Sequence, residues 1–454
     1  MKLSHTFIRA AFSLAYSIHS VSADIDSTRD VGDNAIVLDD GSFAEKILGT
    51  IPDQSFTEIH EIIITVEDVP KKPSPLHEQE KKSLLKRMSK HHGKWDTNHP
   101  RHRLLEALFG FSRYKSRQMT ELDRLRGLYK HVTKAQEKLL EKAIGYSKRF
   151  DQVEQLISVN QELCDGIVDT ALDYYGLSHE ELMQHSKAKD KAGQLAEKVS
   201  VSQALKHFVR DWSTAGQGER EDAFPCILDT LQSLFPEKSR TNIRAFFPGS
   251  GIGRLAHEVA SLGGFEVTMN EWSSFMNLAY RFLETHQEAE MRSFHPFVDS
   301  WSHHATTADM LRPVSFPDKL VNASAVLLVE GDFTSIFKYQ EVEYDVIVTH
   351  FFIDTARNFM TYLDTIHSLL RTGGHWVNCG PLLWGTGPFV QLSLDEIVEV
   401  TKSIGFEFLE SEKACGGVTL RGEKVRGKKA LYGFDSKALT ANTYLAQSWV
   451  AKKA

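Results

Sequence analysis

Ile243-Arg244-Ala245-Phe246-Phe247-Pro248-Gly249-Ser250-Gly251-Ile252-Gly253-Arg254, continuing through Leu255 to Leu262 and Phe265 to Glu271, decides how this chain reads. A short apolar run, a glycine turn, a helical stretch and a second apolar run ending on an acid form the opening βαβ half of a nucleotide-binding α/β sheet. The glycines let the backbone turn sharply and approach a ligand without a Cβ in the way, and the following helix start offers free N–H groups. Glu271 stands about twenty residues beyond the turn, where a carboxylate can accept both hydroxyls of a ribose. The spacing is G-x-G-x-G, without the further residue of the dinucleotide pattern. No second mononucleotide fingerprint follows, so one nucleoside-type ligand is favoured over NAD.

Composition sets the class. The chain has 454 residues, 41% hydrophobic and 25% charged, a globular balance long enough for two or three domains. A net charge of −7, with basic clusters interrupted by acids, argues against a nucleic-acid partner. Four separated cysteines, Cys164, Cys226, Cys379 and Cys415, show neither a disulfide framework nor zinc spacing and read as small buried residues. No stretch has the apolar length of a membrane span. Residues 1–23 resemble a secretory leader, with Lys2, Arg9, an apolar run and Val21-Ser22-Ala23, but polar interruptions and the cysteine pattern favour the cytoplasm, with the nucleus included. The secretory pathway is the alternative.

Residues 24–98 read as a poorly ordered tail and linker, with a short helix near Phe43 to Leu48 and a strand at Ile62 to Val66. His91, His92, His99 and His102 are read as a solvated face, with no carboxylate or cysteine at a helical spacing to make them a metal site. Residues 99–200 form a helical region: Leu104, Leu105, Leu108 and Phe111, then Leu122, Leu125, Leu128 and Val132, recur at helical steps. The sheet domain occupies 201–454. It opens with a helix over Val201 to Trp212, and a helix over Ser273 to Glu284 follows the second strand. Residues 285–320 read as an irregular insertion, and the third strand is Ala325 to Val329. Tyr344 to His350 is the fourth, apolar on both faces as buried parallel strands are, and it empties into Phe351-Phe352-Ile353-Asp354-Thr355. A helix from Asn358 to Leu370, closed by Gly373-Gly374, leads to a strand over His375 to Gly380. A last helix (Leu394 to Gly405) and strands at Phe406 to Ser411 and Tyr444 to Ala451 complete the chain.

This order resembles a class I S-adenosylmethionine-dependent methyltransferase, a Rossmann-like α/β sheet. More closely, Phe208-Val209-Arg210-Asp211-Trp212, Phe247 to Ala256, Asn270-Glu271-Trp272-Ser273, Gly331-Asp332-Phe333, Phe351 to Asn358 and Gly380-Pro381-Leu382-Leu383-Trp384 are similar to the carnosine N-methyltransferase family. The resemblance runs from about Val201 to Ala451. It implies methyl transfer from S-adenosylmethionine to an imidazole nitrogen of carnosine, giving anserine. By position, Gly249 and Glu271 would hold the cosubstrate, Arg210 its carboxylate, and Asp332 and Phe333 its adenine. His207 and His350 join this cosubstrate set. Asp354 would bind the substrate imidazole as the catalytic residue, with Tyr444 a second substrate contact. The sequence departs from the family at His207, where a glutamine is expected, at Gly385, where a substrate-contacting histidine is expected, and in a C-terminal tyrosine run reduced to Tyr444.

The expected partners are a small molecule or dipeptide and a second copy of the chain. Plainer uses stand beside these roles: Asp354 as a helix N-cap, Arg210 as a surface charge, Tyr444 as core. A catalytically silent cosubstrate-binding protein, or a methyltransferase of another amine or peptide, are the competing functions.

Overall fold

The computed structural model describes residues 74–454 apart from 287, 339–343 and 386. The leader, the helix near Phe43 and the strand at Ile62 lie outside the described residues. Eight helices come first: α1 (Pro75–Arg87), α2 (Pro100–Ser112), α3 (Tyr114–Tyr129), α4 (Lys134–Ile144), α5 (Tyr146–Tyr175), α6 (His179–Lys191), α7 (Val199–Trp212) and α8 (Gln217–Leu234). Then come β1 (Ile243–Pro248), α9 (Arg254–Ser261), β2 (Phe265–Glu271), α10 (Ser274–Leu283), β3 (Arg292–Phe294), α11 (Thr307–Leu311), β4 (Val314–Phe316), β5 (Val326–Glu330) and α12 (Phe333–Ile336). The chain closes with β6 (Tyr344–His350), α13 (Phe359–Leu369), β7 (Leu370–Gly380), α14 (Leu394–Ser403), β8 (Phe406–Leu409), β9 (Gly417–Val418), β10 (Arg426–Leu431) and β11 (Thr443–Lys453).

The main sheet runs β5-β2-β1-β6-β7-β11-β10-β9, with β8 also paired to β11. From β5 to β7 every pairing is parallel, and β11 enters antiparallel. The order reverses between β1 and β6, so the carboxyl ends of these two strands open a crevice at the switch point. Phe246, Val346, Ile347 and Met269 are fully buried there, as expected for strands covered on both faces.

The helical region packs on the sheet through α5 and α10. Close approach needs glycine at two points: a Cβ on Gly110 of α2 would lie 2.9 Å from Phe275 Cε1, and one on Gly166 of α5 would lie 3.2 Å from Phe282 Cε2. A buried charge cluster seals the junction. Tyr175 donates to Glu330 at 2.9 Å, and Arg281 donates to the same carboxylate at 3.0 Å and to Glu284 at 2.8 Å.

Several expectations are corrected. The supposed linker contains α1, capped by Ser74 and started by Pro75, with Leu84 buried. The insertion at 285–320 holds the β3–β4 hairpin and α11. Gly373-Gly374 does not close α13 but lies within β7, where the register against β6 jumps; Gly373 has φ +77° and a Cβ on Gly374 would meet Arg371 O at 2.9 Å. Strands β9, only two residues long, and β10, largely basic, were not expected. Cys226 on α8 and Cys415 form a disulfide across a sequence separation of 189, a pairing that linear spacing hides. His91 and His92 are exposed, but His99 is buried and caps α2 by accepting from Arg101 N at 3.1 Å. His102 faces Glu106, one helical turn along, so that face is not simply solvated.

Candidate active site

The turn after β1 carries positive φ at Gly249 (+61°), Gly251 (+58°) and Gly253 (+80°), a region that L side chains avoid. Space is as restrictive as conformation: a Cβ on Gly249 would stand 2.0 Å from Phe352 Cδ2. Glu271, at the end of β2, accepts from Gly251 N at 2.9 Å and from Ser273 N at 2.7 Å. Burial pushes its carboxyl up while these N–H groups pull it back. The carboxylate therefore sits against the turn.

Asp332 follows β5 and is exposed; its Oδ1 caps α12, accepting from Thr334 N at 2.9 Å and Thr334 Oγ1 at 2.7 Å. Phe333 is buried, with its ring edge-on to Phe352 (centroids 5.6 Å apart) and Tyr362 (5.1 Å). It is the floor under those rings, not an open stacking face. Phe352 stacks on Tyr362 at 4.8 Å, and Tyr362 feels the charges of both Asp332 and Glu271. One continuous aromatic wall thus joins the glycine turn, the β5 end and the β6 end.

On α7, Arg210 Nε donates to Asp211 Oδ1 at 2.9 Å, and Nη2 lies 2.9 Å from His207 Nδ1. Burial alone would lower Arg210, but Asp211, Tyr432 and Glu219 together outweigh it and hold the guanidinium above its ordinary value; Arg210 is not a surface charge. Its cation lies over the rings of Tyr432 (4.9 Å) and Phe434 (5.2 Å). The end of α7 is fixed by Arg220, which donates to Arg210 O at 2.6 Å and Ser213 O at 2.8 Å. Burial and then Arg210 lower His207, whose ring lies 3.5 Å from where a Cβ on Gly251 would be. His350, ending β6, has a buried Nε2 with no hydrogen-bond partner, and burial followed by Arg210 pushes it down to about 3. It is a neutral ring at physiological pH. Arg210, Phe224, His350, Phe351 and Tyr432 line a narrow recess of about 10 Å³, room for about one water.

Asp354 stands 8% exposed in the short turn Ile353–Thr355. It is no helix cap: Asn358 caps α13, accepting from Met360 N at 3.2 Å. Burial raises Asp354 to about 6, opposed by Leu383 N, which donates to Oδ2 at 3.2 Å. Tyr444, half-buried at the start of β11, is raised by burial, then by Tyr432 and by the charge of Asp354. Between them Phe351 holds φ +50°, its backbone 2.9 Å from where a Cβ on Gly380 would be. Such a conformation persists only where the surroundings enforce it, as its stack on Tyr432 (5.1 Å, 7°) does here. Gly385 is exposed, and a Cβ there would meet nothing within 4 Å.

The carboxyl edge of the sheet thus gathers Gly249, Glu271, Asp332 and Phe333 with Asp354, while Arg210, His207 and His350 form a second group beside the turn. Sequence reasoning missed Asp211, Tyr432 and Phe434. Tyr432 and Phe434 come from a loop with no motif; Glu219 anchors it by accepting from Gly433 N at 2.9 Å. Asp211 was legible as the residue that must neutralise a buried Arg210.

Residues 187–454 match the family described as carnosine N-methyltransferase. The chain is 33% identical over 290 residues to the carnosine N-methyltransferase of Schizosaccharomyces pombe, covering 59% of this chain and 76% of that one. It is 32% identical over 322 residues to that of Mus musculus, covering 68% and 78%. Among solved structures, phosphoethanolamine N-methyltransferase 2 of Haemonchus contortus aligns over 46% of this chain and 43% of that one, at 17% identity and a TM-score of 0.30. That last likeness is too loose to argue from.

Proposed function

This chain belongs to the carnosine N-methyltransferase family, and on that footing we propose how its residues divide the work. The protein is an S-adenosylmethionine-dependent enzyme that methylates carnosine. S-adenosylmethionine supplies the methyl group, already activated on a positively charged sulfur. Glu271 takes the ribose hydroxyls at the glycine turn, where Gly249 and Gly251 leave no Cβ to obstruct it. Asp332 has an exposed carboxylate for the adenine amino group, and Phe333 supports the wall behind it. Arg210 meets the carboxylate of the amino-acid end, oriented by Asp211 and His207. The unpartnered Nε2 of His350 accepts from the amino group of that same end.

Asp354 carries the acceptor side. Its carboxylate accepts one imidazole N–H, which fixes the tautomer and leaves the lone pair on the other nitrogen free to attack. The ring nitrogen would gain the methyl as the sulfur–methyl bond breaks and leaves a neutral thioether; the Asp354 carboxylate stabilises the ring, cationic at that point, and then receives the surplus N–H proton. The neutral product of this sequence is a methylated dipeptide, consistent with anserine. Tyr444 closes the substrate side, within reach of the Asp354 field. Most of the rate comes from holding donor and acceptor in line, because the donor needs no further activation.

The observation that carries this reading is a buried carboxylate, Asp354, on the same sheet edge as the Glu271 turn. Incubation of the full chain with methyl-labelled S-adenosylmethionine and carnosine, histidine or other histidine-containing peptides tests it. Label on the carnosine imidazole is expected; transfer to another peptide with none to carnosine would reassign the acceptor, and none to any would leave a binding protein.

The Cys226–Cys415 disulfide bears on the compartment. Such bonds persist in oxidising surroundings, which favours the secretory alternative over the cytoplasm. Non-reducing mass analysis of protein from its native source tests this: thiols at both positions would return the protein to the cytoplasm.

A further inference from the structure

Away from the sheet edge, α2 and α6 bring together three side chains of a kind that bind transition metals. His102 and Glu106 are four apart on α2 and so share one face of that helix. His185 reaches the same carboxylate from α6: its Nε2 lies 3.1 Å from Glu106 Oε1, and His102 Nε2 lies 3.9 Å from that oxygen. One ligand atom from each residue falls within 4.8 Å of the others. Ligands at about 2.0–2.2 Å around a tetrahedral ion stand roughly 3.3–3.6 Å apart, so modest rotamer adjustment brings the three onto one ion.

The cluster is poorly satisfied as it stands. His185 Nε2 and His102 Nδ1 are both buried with no hydrogen-bond partner. The imidazole edges are 11% and 17% exposed for His185 and His102, and the two rings lie 5.3 Å apart at 80°. Lys189, one turn beyond His185, reaches the same Glu106 oxygen with its ammonium. An ion pair with Lys189 accounts for the carboxylate. It does not account for the two imidazoles that face the same oxygen, each with a buried nitrogen that has no hydrogen-bond partner.

We propose that His102, Glu106 and His185 form a divalent transition-metal site, of the zinc class, that staples α2 to α6. Two imidazoles and one carboxylate are a borderline-soft donor set suited to zinc and to its neighbours cobalt and nickel, not to magnesium or calcium. Water completes the coordination as the metal displaces the Lys189 ammonium. The site is independent of the methyl-transfer assignment, although His102 adjoins Arg103, whose guanidinium lies 3.9 Å over the Trp272 ring beside Glu271.

The test titrates zinc chloride, and separately cobalt chloride, into metal-stripped full-length protein against a chromogenic chelator. One equivalent of zinc is expected, with visible cobalt absorption of a tetrahedral or five-coordinate ion. His185→Ala and Glu106→Gln should each weaken zinc by at least tenfold, while Lys189→Met, which removes the competing ammonium, should tighten it severalfold. S-adenosylmethionine binding by the variants serves as the check that each is folded. Zinc binding unchanged in His185→Ala, no stoichiometric binding in the unaltered chain, or no tightening in Lys189→Met would overturn the proposal.

Discussion

Asp354 carries its charge at a cost to the fold. Its carboxyl is raised from an ordinary 3.8 to about 6, so folding disfavours the ionised form. The resulting deficit is absent below the unfolded value and complete above the folded one, and a shift of this size amounts to at most about 3 kcal/mol. Asp354→Asn should accordingly raise thermal stability at pH 8 and leave it nearly unchanged near pH 4, read by calorimetry at the two values. In the proposed role the same ionised form accepts the imidazole N–H. Turnover should therefore fall as pH drops through about 6, in the direction that protonation of the substrate ring reinforces. Gly249→Ala is expected to lose cosubstrate binding outright, since its Cβ would occupy the Phe352 ring and its φ is +61°; equilibrium dialysis checks this. Gly385→His meets open space on the segment whose Leu383 touches Asp354, and should keep the fold while lowering the KM for carnosine.

At the scale of elements, α5, α10 and β5 meet at Glu330, which Arg281 neutralises and Tyr175 hydrogen-bonds in a buried setting. Removing one member leaves the other charge buried and unpaired. Arg281→Met is expected to destabilise the protein by about 3–5 kcal/mol in denaturant unfolding, whereas an exposed pair such as Arg124–Glu121 on α3 should give no measurable change on substitution. The disulfide joins α8 to the segment before β9 across a separation of 189 residues. Its reduction constrains the unfolded chain less, so the melting temperature should fall, by an amount set by about 2–5 kcal/mol.

Across the whole molecule, the sequence shows most clearly what depends on local periodicity. Tyr344 to His350 is legible because a strand buried on both faces must be continuously apolar, and the glycine turn because only glycine tolerates its φ values. β9 is only two residues long and β10 is largely basic, so no period marks them. α1 is hidden by its charged residues; it folds because a serine cap and Pro75 start it and Leu84 finds the sheet. The Cys226–Cys415 pair and the meeting of His102 with His185 depend on tertiary approach across many residues, which spacing does not encode. Of the candidate site, the strand-end residues were readable because sheet topology sets where they go. The Tyr432–Phe434 wall was not, because a loop anchored by Glu219 brings it there. The role proposed for Asp354 is a charge held opposite the methyl donor, and single-turnover methyl transfer to carnosine by Asp354→Asn, alongside its affinity for S-adenosylmethionine, probes that most directly. A rate at least a hundredfold lower with unchanged cosubstrate affinity is the predicted result; an undiminished rate, or label found on the β-alanyl amine in place of the imidazole, would contradict it.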